Sequence, residues 1–511
     1  MILRRNLFIV IHGILAQSVE HLTFNQVVGG SIPPCLISRS LVNGMFARFL
    51  FCHMHVHDLI VLNFFRCVMT KGSISKNLIL FAIPLFLGQL LQQLYNVVDS
   101  VVVGNVLGKE ALAAVSTTGS LIFLMVGFIN GLFMGSSVII GKRYGAGDEK
   151  GVSIAAHTGI TFSILMGLVL TIFGYFFTPV LLGWMGTPED VMPNSIMYFK
   201  IYFLGGLGNV LYSACCGVFQ AMGDSKRPLY YLMVSTVLNT VLDLLFVRDL
   251  GFGIAGAALA TVIAQFFSAL LAFIKLTQVQ GPHRIDIRKL RMDPETIKKE
   301  LMIGFPTGIQ NSVIAIGNVV VQSNINAFGS AAMAGCGSYF KLEGFVFLPI
   351  TCMSMALTTF VSQNVGAKEL ARVKKGAVIG SVISVSCAEF IGLMVFLFAP
   401  VFLRMFSSEP EVLLIGATQA RTESLFFCLL ALNHCLAGIY RGAGKTTVPM
   451  VVMLSSWCLL RITYITIIVR IIPVVNVIFW AYPLTWSVSA IIFIIYYFKG
   501  NWLTKVFENN T

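Results

Sequence analysis

Charged residues are scarce in this sequence. Asp, Glu, Lys and Arg together make up 11% of 511 residues, while apolar residues make up 57%, and mean hydropathy is +0.85. A soluble chain carries roughly 25% charged residues. The scarcity therefore excludes the two or three water-soluble domains that length alone would allow. Cys-x-x-Cys pairs are missing too. Most of the eleven cysteines stand inside apolar runs (Cys215, Cys216, Cys352, Cys387, Cys428, Cys458), as small buried hydrophobes that need no disulfide. Neither HExxH nor a Ser-His-Asp arrangement occurs within an apolar segment, so an intramembrane enzyme is not expected. Gly442-Ala443-Gly444-Lys445-Thr446-Thr447 has the look of a phosphate-binding loop. Counted from Gly438, however, its spacing is one residue too long, Ile439 stands where a glycine is needed, and the segment joins two helices.

Long apolar runs are what the sequence has. About 20 apolar residues cross a hydrocarbon core of about 30 Å, and such runs recur a dozen times. The pattern predicts helices near 77–103, 114–141, 154–182, 194–222, 228–249, 253–276, 301–327, 333–363, 376–404, 412–440, 448–470 and 474–499. The longest polar break, 278–300, holds Arg284, Arg288, Lys289, Arg291, Lys298 and Lys299 and divides the spans six and six. The expected fold is an all-α membrane protein with twelve transmembrane helices in two six-helix lobes. These are a first lobe over 69–276, a basic loop over 277–300, a second lobe over 301–499 and a tail over 500–511.

The net charge of +13 follows from topology and is not a nucleic-acid footprint. Lys142, Arg143, Lys150, Lys226, Arg227, the central cluster, Lys368, Arg372, Lys374, Lys375, Arg441, Lys445, Lys499 and Lys505 all fall on one set of alternating loops and flanks. The other set holds only Lys109, Arg248 and Arg470, with Lys200, Lys341 and Arg404 just inside nearby helices, and includes acidic loops at Glu189-Asp190 and Glu409-Pro410-Glu411. The positive-inside rule then puts both ends of the helical body in the cytoplasm.

The two halves repeat. Gly108 and Gly329, Gly145 and Gly366, Pro179 and Pro400, Gly217 and Gly438, Gly223 and Gly444, and Pro228 and Pro449 are each separated by 221 positions. Because each half has an even number of spans, both insert the same way. An axis along the membrane normal relates them, with a cavity between the lobes, as in a rocking transporter.

Residues 1–68 have no repeat partner. The segment from Ala16 to Pro33 resembles the peptide obtained when a bacterial transfer-RNA gene is translated, and the expected start is Met69. The alternative is a signal sequence or extra helix at 7–16. His53, His55 and His57 near Cys52, which alternate like metal ligands, belong to this segment.

Carboxylates inside spans carry the functional signal, since a charge at bilayer depth is costly. Asp99 lies in the first span. Asn239 and Asp243 lie in the fifth, four apart and so on one helix face. At 1.5 Å per residue Asp99 and Asp243 are both about 8 Å below the outer boundary, and Thr261 of the sixth span is about 12 Å deep. These oxygens suit Na⁺, a hard cation; two carboxylates in a low dielectric equally suit a proton. The bland reading is a helix-packing network, or Asp243 paired with Arg248. The second-half positions matching Asn239 and Asp243 are Leu460 and Tyr464. The coupling ion is therefore expected in the first lobe, and the second is expected to serve mainly as substrate wall.

Val98-Asp99-Ser100-Val101-Val102-Val103-Gly104 and Leu238-Asn239-Thr240-Val241-Leu242-Asp243, with Thr261 and Gln363-Asn364-Val365-Gly366-Ala367, resemble the MATE (multidrug and toxin extrusion) family. The closest motifs are those of its bacterial DinF-like and MepA-like branch. The resemblance covers about 72–498 and implies a cation or proton site at Asp99, Asn239, Asp243 and Thr261. The subgroup with carboxylates in the seventh and tenth spans is not matched: the seventh has Gln310 and Asn311, and the tenth has only Glu423. The polar fourth-span residue of some members has no clear match near Cys216. Gln310, Asn311 and Glu343 are candidate substrate-cavity residues. Glu343, Glu389, Arg421 and Glu423 either touch a cationic drug or pair locally, Lys341 with Glu343 and Arg421 with Glu423. Arg461 has no evident partner.

The expected function is secondary antiport. Amphipathic, cationic or polyaromatic drugs and toxins leave in exchange for Na⁺ or H⁺, with no other cofactor, across a bacterial inner membrane, by a protein that works as a monomer. Two alternatives are a lipid-linked saccharide flippase of the same superfamily, which wants a strongly cationic cavity, and a channel, for which no filter is visible.

Overall fold

The computed structural model describes residues 68–502 except 108, 185, 186, 188, 190 and 501. Several side chains between 98 and 123, Asp99 among them, are outside the description. The expectations for residues 1–67 also lie outside the described residues.

Twelve helices follow in order. They are α1 Ile74–Leu107, α2 Lys109–Gly145, α3 Glu149–Trp184, α4 in two pieces (Met192–Leu204 and Gly206–Ala221), α5 Lys226–Asp249, α6 Gly253–Gln278, α7 Pro294–Asn326, α8 Ser330–Gly366, α9 Leu370–Leu403, α10 in two pieces (Pro410–Ser424 and Phe427–Gly442), α11 Thr447–Ile471 and α12 Asn476–Lys499. Among the described residues there is no strand. Among the described residues, nine helices are long and apolar enough to cross a membrane singly, and α4 and α10 pass as bent pairs. The remaining helix, α7, carries Gln310, Asn311, Asn318, Gln322, Asn324 and Asn326. These polar residues lower its hydropathy, while its length and its packing match its neighbours. Lipid contact is legible in exposed apolar side chains such as Ile172, Phe176 and Trp184 on α3 and Val382, Phe390 and Val401 on α9. No soluble surface would tolerate that much uncovered apolar area.

Bends and turns repeat along with the sequence. α4 bends by 47° at Gly205 and α10 by 56° around Phe426, one repeat apart. The α2–α3 turn uses Gly147 at φ 73°, and the α8–α9 turn places its repeat partner Lys368 at φ 60°. The π-turns break the symmetry, at Leu244–Asp249 in α5 and Leu454–Leu460 in α11.

The lobes meet through α1 and α2 on one side and α7 and α8 on the other. The first half of α1 (Leu78, Phe81, Ala82, Leu85) packs into the core of the second lobe, with Tyr339, Ile350 and Phe360. Toward the end that carries the basic loops the contact is backbone to backbone. A Cβ on Gly145 would strike the Gln363 carbonyl, and one on its repeat partner Gly366 would strike that of Lys142. Small residues let helices approach this closely in lipid. The side chains reach across in the same two-fold fashion: Lys142 Nζ donates to Ala443 O at 2.9 Å, and Gln363 Nε2 donates to Ala221 O at 2.7 Å.

Candidate functional site

The first-lobe residues singled out by spacing come together. α5 brings Asn239 and Asp243 to one face, 2% and 1% exposed, and α6 brings Thr261, 6% exposed, against them. Asn239 Nδ2 donates to Thr261 Oγ1 at 3.4 Å. The Thr261 hydroxyl lies 3.1 Å from Tyr95 Oη of α1 and donates to Ala257 O at 3.1 Å. Asn239 Oδ1 is buried without a hydrogen-bond partner, and an oxygen in that state costs about 1–3 kcal/mol. Asp243 is the last α-helical residue before the π-turn, a local unwinding often found at functional sites. Arg248 is exposed at the far end of that turn, whereas Asp243 is buried, so the pairing of the two weighed from sequence is not what holds Asp243. Asp99 lies in α1; its side chain is outside the description.

A second polar layer lies about one turn deeper. Ser235 Oγ donates to Ala264 O at 2.8 Å. Gln265 Nε2 donates to Tyr202 Oη at 3.4 Å, and Gln265 Oε1 has no partner. Tyr202 stands just before the α4 bend and, with Asn209, edges an otherwise apolar pocket lined by Met125, Phe199 and Phe203.

The candidate cavity residues do not gather with this site. Gln310 Nε2 lies 2.8 Å from Met453 Sδ inside the second lobe. Asn311 Nδ2 donates across the lobe boundary to Gly127 O at 2.9 Å. Glu343 is half-buried on α8.

The second lobe has its own buried charges. Glu423, fully buried, accepts from Tyr339 Oη at 3.1 Å and from Gln419 Nε2 at 2.9 Å. Arg461, 3% exposed, donates through Nη2 to Thr485 Oγ1 at 3.0 Å and lies 4.2 Å from the Tyr482 ring centre. A guanidinium over an aromatic face retains favourable electrostatics without a carboxylate. The local pairs weighed from sequence do not form. Lys341 lies over the Phe406 ring at 5.9 Å, and Arg421 Nε donates to Phe396 O at 3.3 Å. The ion pairs among the described residues are Arg227–Asp224, Lys289–Asp286 and Lys299–Glu295. Tyr482 is the repeat partner of Thr261, 221 positions on; it was not singled out from sequence, and repeat arithmetic is the signal that could have found it. Tyr95 carried no such signal.

The MatE family model matches the chain twice, over residues 84–245 and 306–467, once in each half. The probable multidrug resistance protein YoeA of Bacillus subtilis (strain 168) is 32% identical over 394 residues, which are 76% of this chain and 85% of that protein. The probable multidrug resistance protein NorM of Thermotoga maritima is 27% identical over 401 residues, 75% of this chain and 84% of that protein. Among solved structures, an outward-facing multidrug resistance MATE family transporter of the MOP superfamily superposes with a TM-score of 0.80 at 22% identity, covering 86% of this chain and 99% of that one. One family match per lobe, a relative at this level of identity over most of both chains and a shared fold lead to one conclusion: this chain belongs to the MatE family and is a multi-pass membrane transporter.

Proposed function

We propose that the protein is a secondary antiporter exporting amphipathic, cationic organic compounds in exchange for Na⁺ or H⁺, and that the exchanged ion binds in the first lobe. The observation that carries the reading is the buried Asn239 Oδ1 without a hydrogen-bond partner, four residues from buried Asp243 and beside the Thr261 hydroxyl. Asn239 and Thr261 would supply neutral oxygens to a cation, and Asp243 with Asp99 the negative charge. For a proton, the same carboxylates would be the acceptors. Either ion drives transport only by binding the two lobe arrangements with different affinity. Names of relatives such as YoeA support drugs as the substrate class. The protein sits in the bacterial inner membrane as a monomer, with both ends of the helical body in the cytoplasm.

Dye efflux from everted vesicles, with a pH gradient and a Na⁺ gradient imposed separately, tests this. The expected result is export driven by one gradient and lost in both Asp99→Asn and Asp243→Asn at unchanged expression. Export that survives in both variants removes the first-lobe site from the mechanism.

A further inference from the structure

A second buried carboxyl group, unused by that site, sits where the lobes close on each other. Glu300 lies two turns into α7, facing α2, and is 2% exposed. Its Oε2 accepts from Ser136 Oγ of α2 at 2.7 Å; its Oε1 has no hydrogen-bond partner. The seam leaves water no room. A Cβ on Gly135 would strike the Glu300 carbonyl, and one on Gly304 would strike that of Leu132. α3 closes the third side, where a Cβ on Gly159 would stand 3.7 Å from Oε2.

The charged and titratable groups of the surrounding helices are engaged elsewhere. On α2, Arg143 lies about two turns nearer the basic end; it donates to Gly151 O at 2.8 Å and to Thr296 Oγ1 at 3.0 Å. Its neighbour Lys142 reaches Ala443 O. On α3, His157 Nδ1 lies 2.7 Å from Ser153 O, and its Nε2 accepts from Asp286 N at 3.0 Å, the pattern of a neutral ring. On α7 itself Lys299 pairs with Glu295, and Asp293 caps the helix by accepting from Thr296 N at 2.8 Å. Among the described residues no cation forms an ion pair with Glu300.

A carboxylate sealed in this way, with one neutral donor and with the charge of Arg143 offsetting its burial only in part, is expensive to keep ionised; as a carboxylic acid it is not. Separating α2 from α7 would admit water and reverse that preference. We propose that Glu300 is a proton-operated latch between the lobes: its carboxyl group is protonated while α2 and α7 are in contact, and releases that proton to water when the lobes part at the basic end. Proton binding at Glu300 therefore favours the arrangement closed at that end. The latch rests on the alternating-access reading above but not on which ion drives export.

Spin labels at Lys150→Cys and Ala371→Cys, exposed positions one repeat apart on the two lobes, report the separation of the basic ends. The full chain, with its native cysteines replaced, is reconstituted in lipid nanodiscs without any gradient. The expected result is a shift from the short to the long distance as pH rises, by at most about tenfold in population ratio per pH unit for one proton. Glu300→Gln stays short with a slope shallower than wild type, Glu300→Asp keeps a pH dependence with a displaced midpoint, and Glu295→Gln, at an exposed carboxylate of the same helix, keeps the wild-type slope. A slope in Glu300→Gln equal to wild type overturns the latch, as does a slope lost only in Glu295→Gln. A distance that stays short at every pH in all four proteins overturns the latch and the alternating-access reading together. Opening without any dependence on Glu300 overturns the latch alone.

Discussion

At the scale of single residues, the first-lobe site depends on one hydroxyl that serves three neighbours. Thr261 Oγ1 meets Tyr95, Asn239 and the Ala257 carbonyl. Thr261→Val keeps the shape and removes the oxygen, leaving buried partners unsatisfied at about 1–3 kcal/mol, which corresponds to about fivefold to 150-fold in affinity. The expected outcome is a rise of about tenfold in the ion concentration that half-saturates dye export, with maximal export less affected; an unchanged half-saturation would show that the hydroxyl is no ligand. Asn239 and Asp243 were legible in the sequence because a spacing of four puts two residues on one helix face wherever the helix lies. Thr261 was legible through depth, since the outer boundary of α6 could be read from Gly253. Tyr95 was not: its contact joins α1 to α6, and no local spacing encodes which helices become neighbours. Arg461 was visible as a buried charge, but its aromatic partner Tyr482 comes from α12.

At the scale of elements, the repeat dictates turns as well as helices, and one copy fits its turn less well than the other. Gly147 and Lys368 occupy equivalent turns with positive φ. Glycine adopts that conformation freely, whereas a side chain there costs about 1–2 kcal/mol. Lys368→Gly should therefore stabilise the protein, by about 1 kcal/mol once the greater freedom of the unfolded chain is subtracted. Gly147→Ala should destabilise it by a similar amount, through backbone strain alone, because nothing lies within 4 Å of the added Cβ. Thermal unfolding in detergent, with Lys368→Ala as the control that keeps the strain, measures both; equal melting of Lys368→Gly and Lys368→Ala would refute the argument. Helix number and order were legible because apolar runs of membrane length alternate with basic or glycine-containing turns. Helix ends were less so: α2 begins at Lys109 and α8 runs to Gly366, several residues beyond the apolar runs, because the backbone keeps its hydrogen bonds into the interfacial layer. The π-turns leave no trace in composition.

At the scale of the whole molecule, the sequence repeat announced two lobes but not how they touch. The Gly145–Gly366 arrangement was visible as a pair of glycines at a fixed offset, and only the fold shows each packed on the other lobe's carbonyl. Likewise no periodicity revealed that the first half of α1 joins the core of the second lobe. Sidedness is the property of the whole molecule that charge alone argues, and it has a direct test. Arg284, Arg288, Lys289 and Arg291 are all exposed on the segment joining the lobes; Arg284 Nε donates to Thr277 O at 3.0 Å, and Arg288 N donates to Asp286 Oδ1 at 3.0 Å. If the basic loops face the cytoplasm, trypsin added to everted vesicles should cut there and release two six-helix halves, while trypsin added to intact spheroplasts should leave the chain whole until detergent is added. The alternate loops make the control sharp. Arg248 and Arg470, near the outer ends of α5 and α11, should be reachable, if at all, only from the opposite side. Cleavage of the central segment in intact spheroplasts would invert the topology, and with it the direction in which the closed basic end faces.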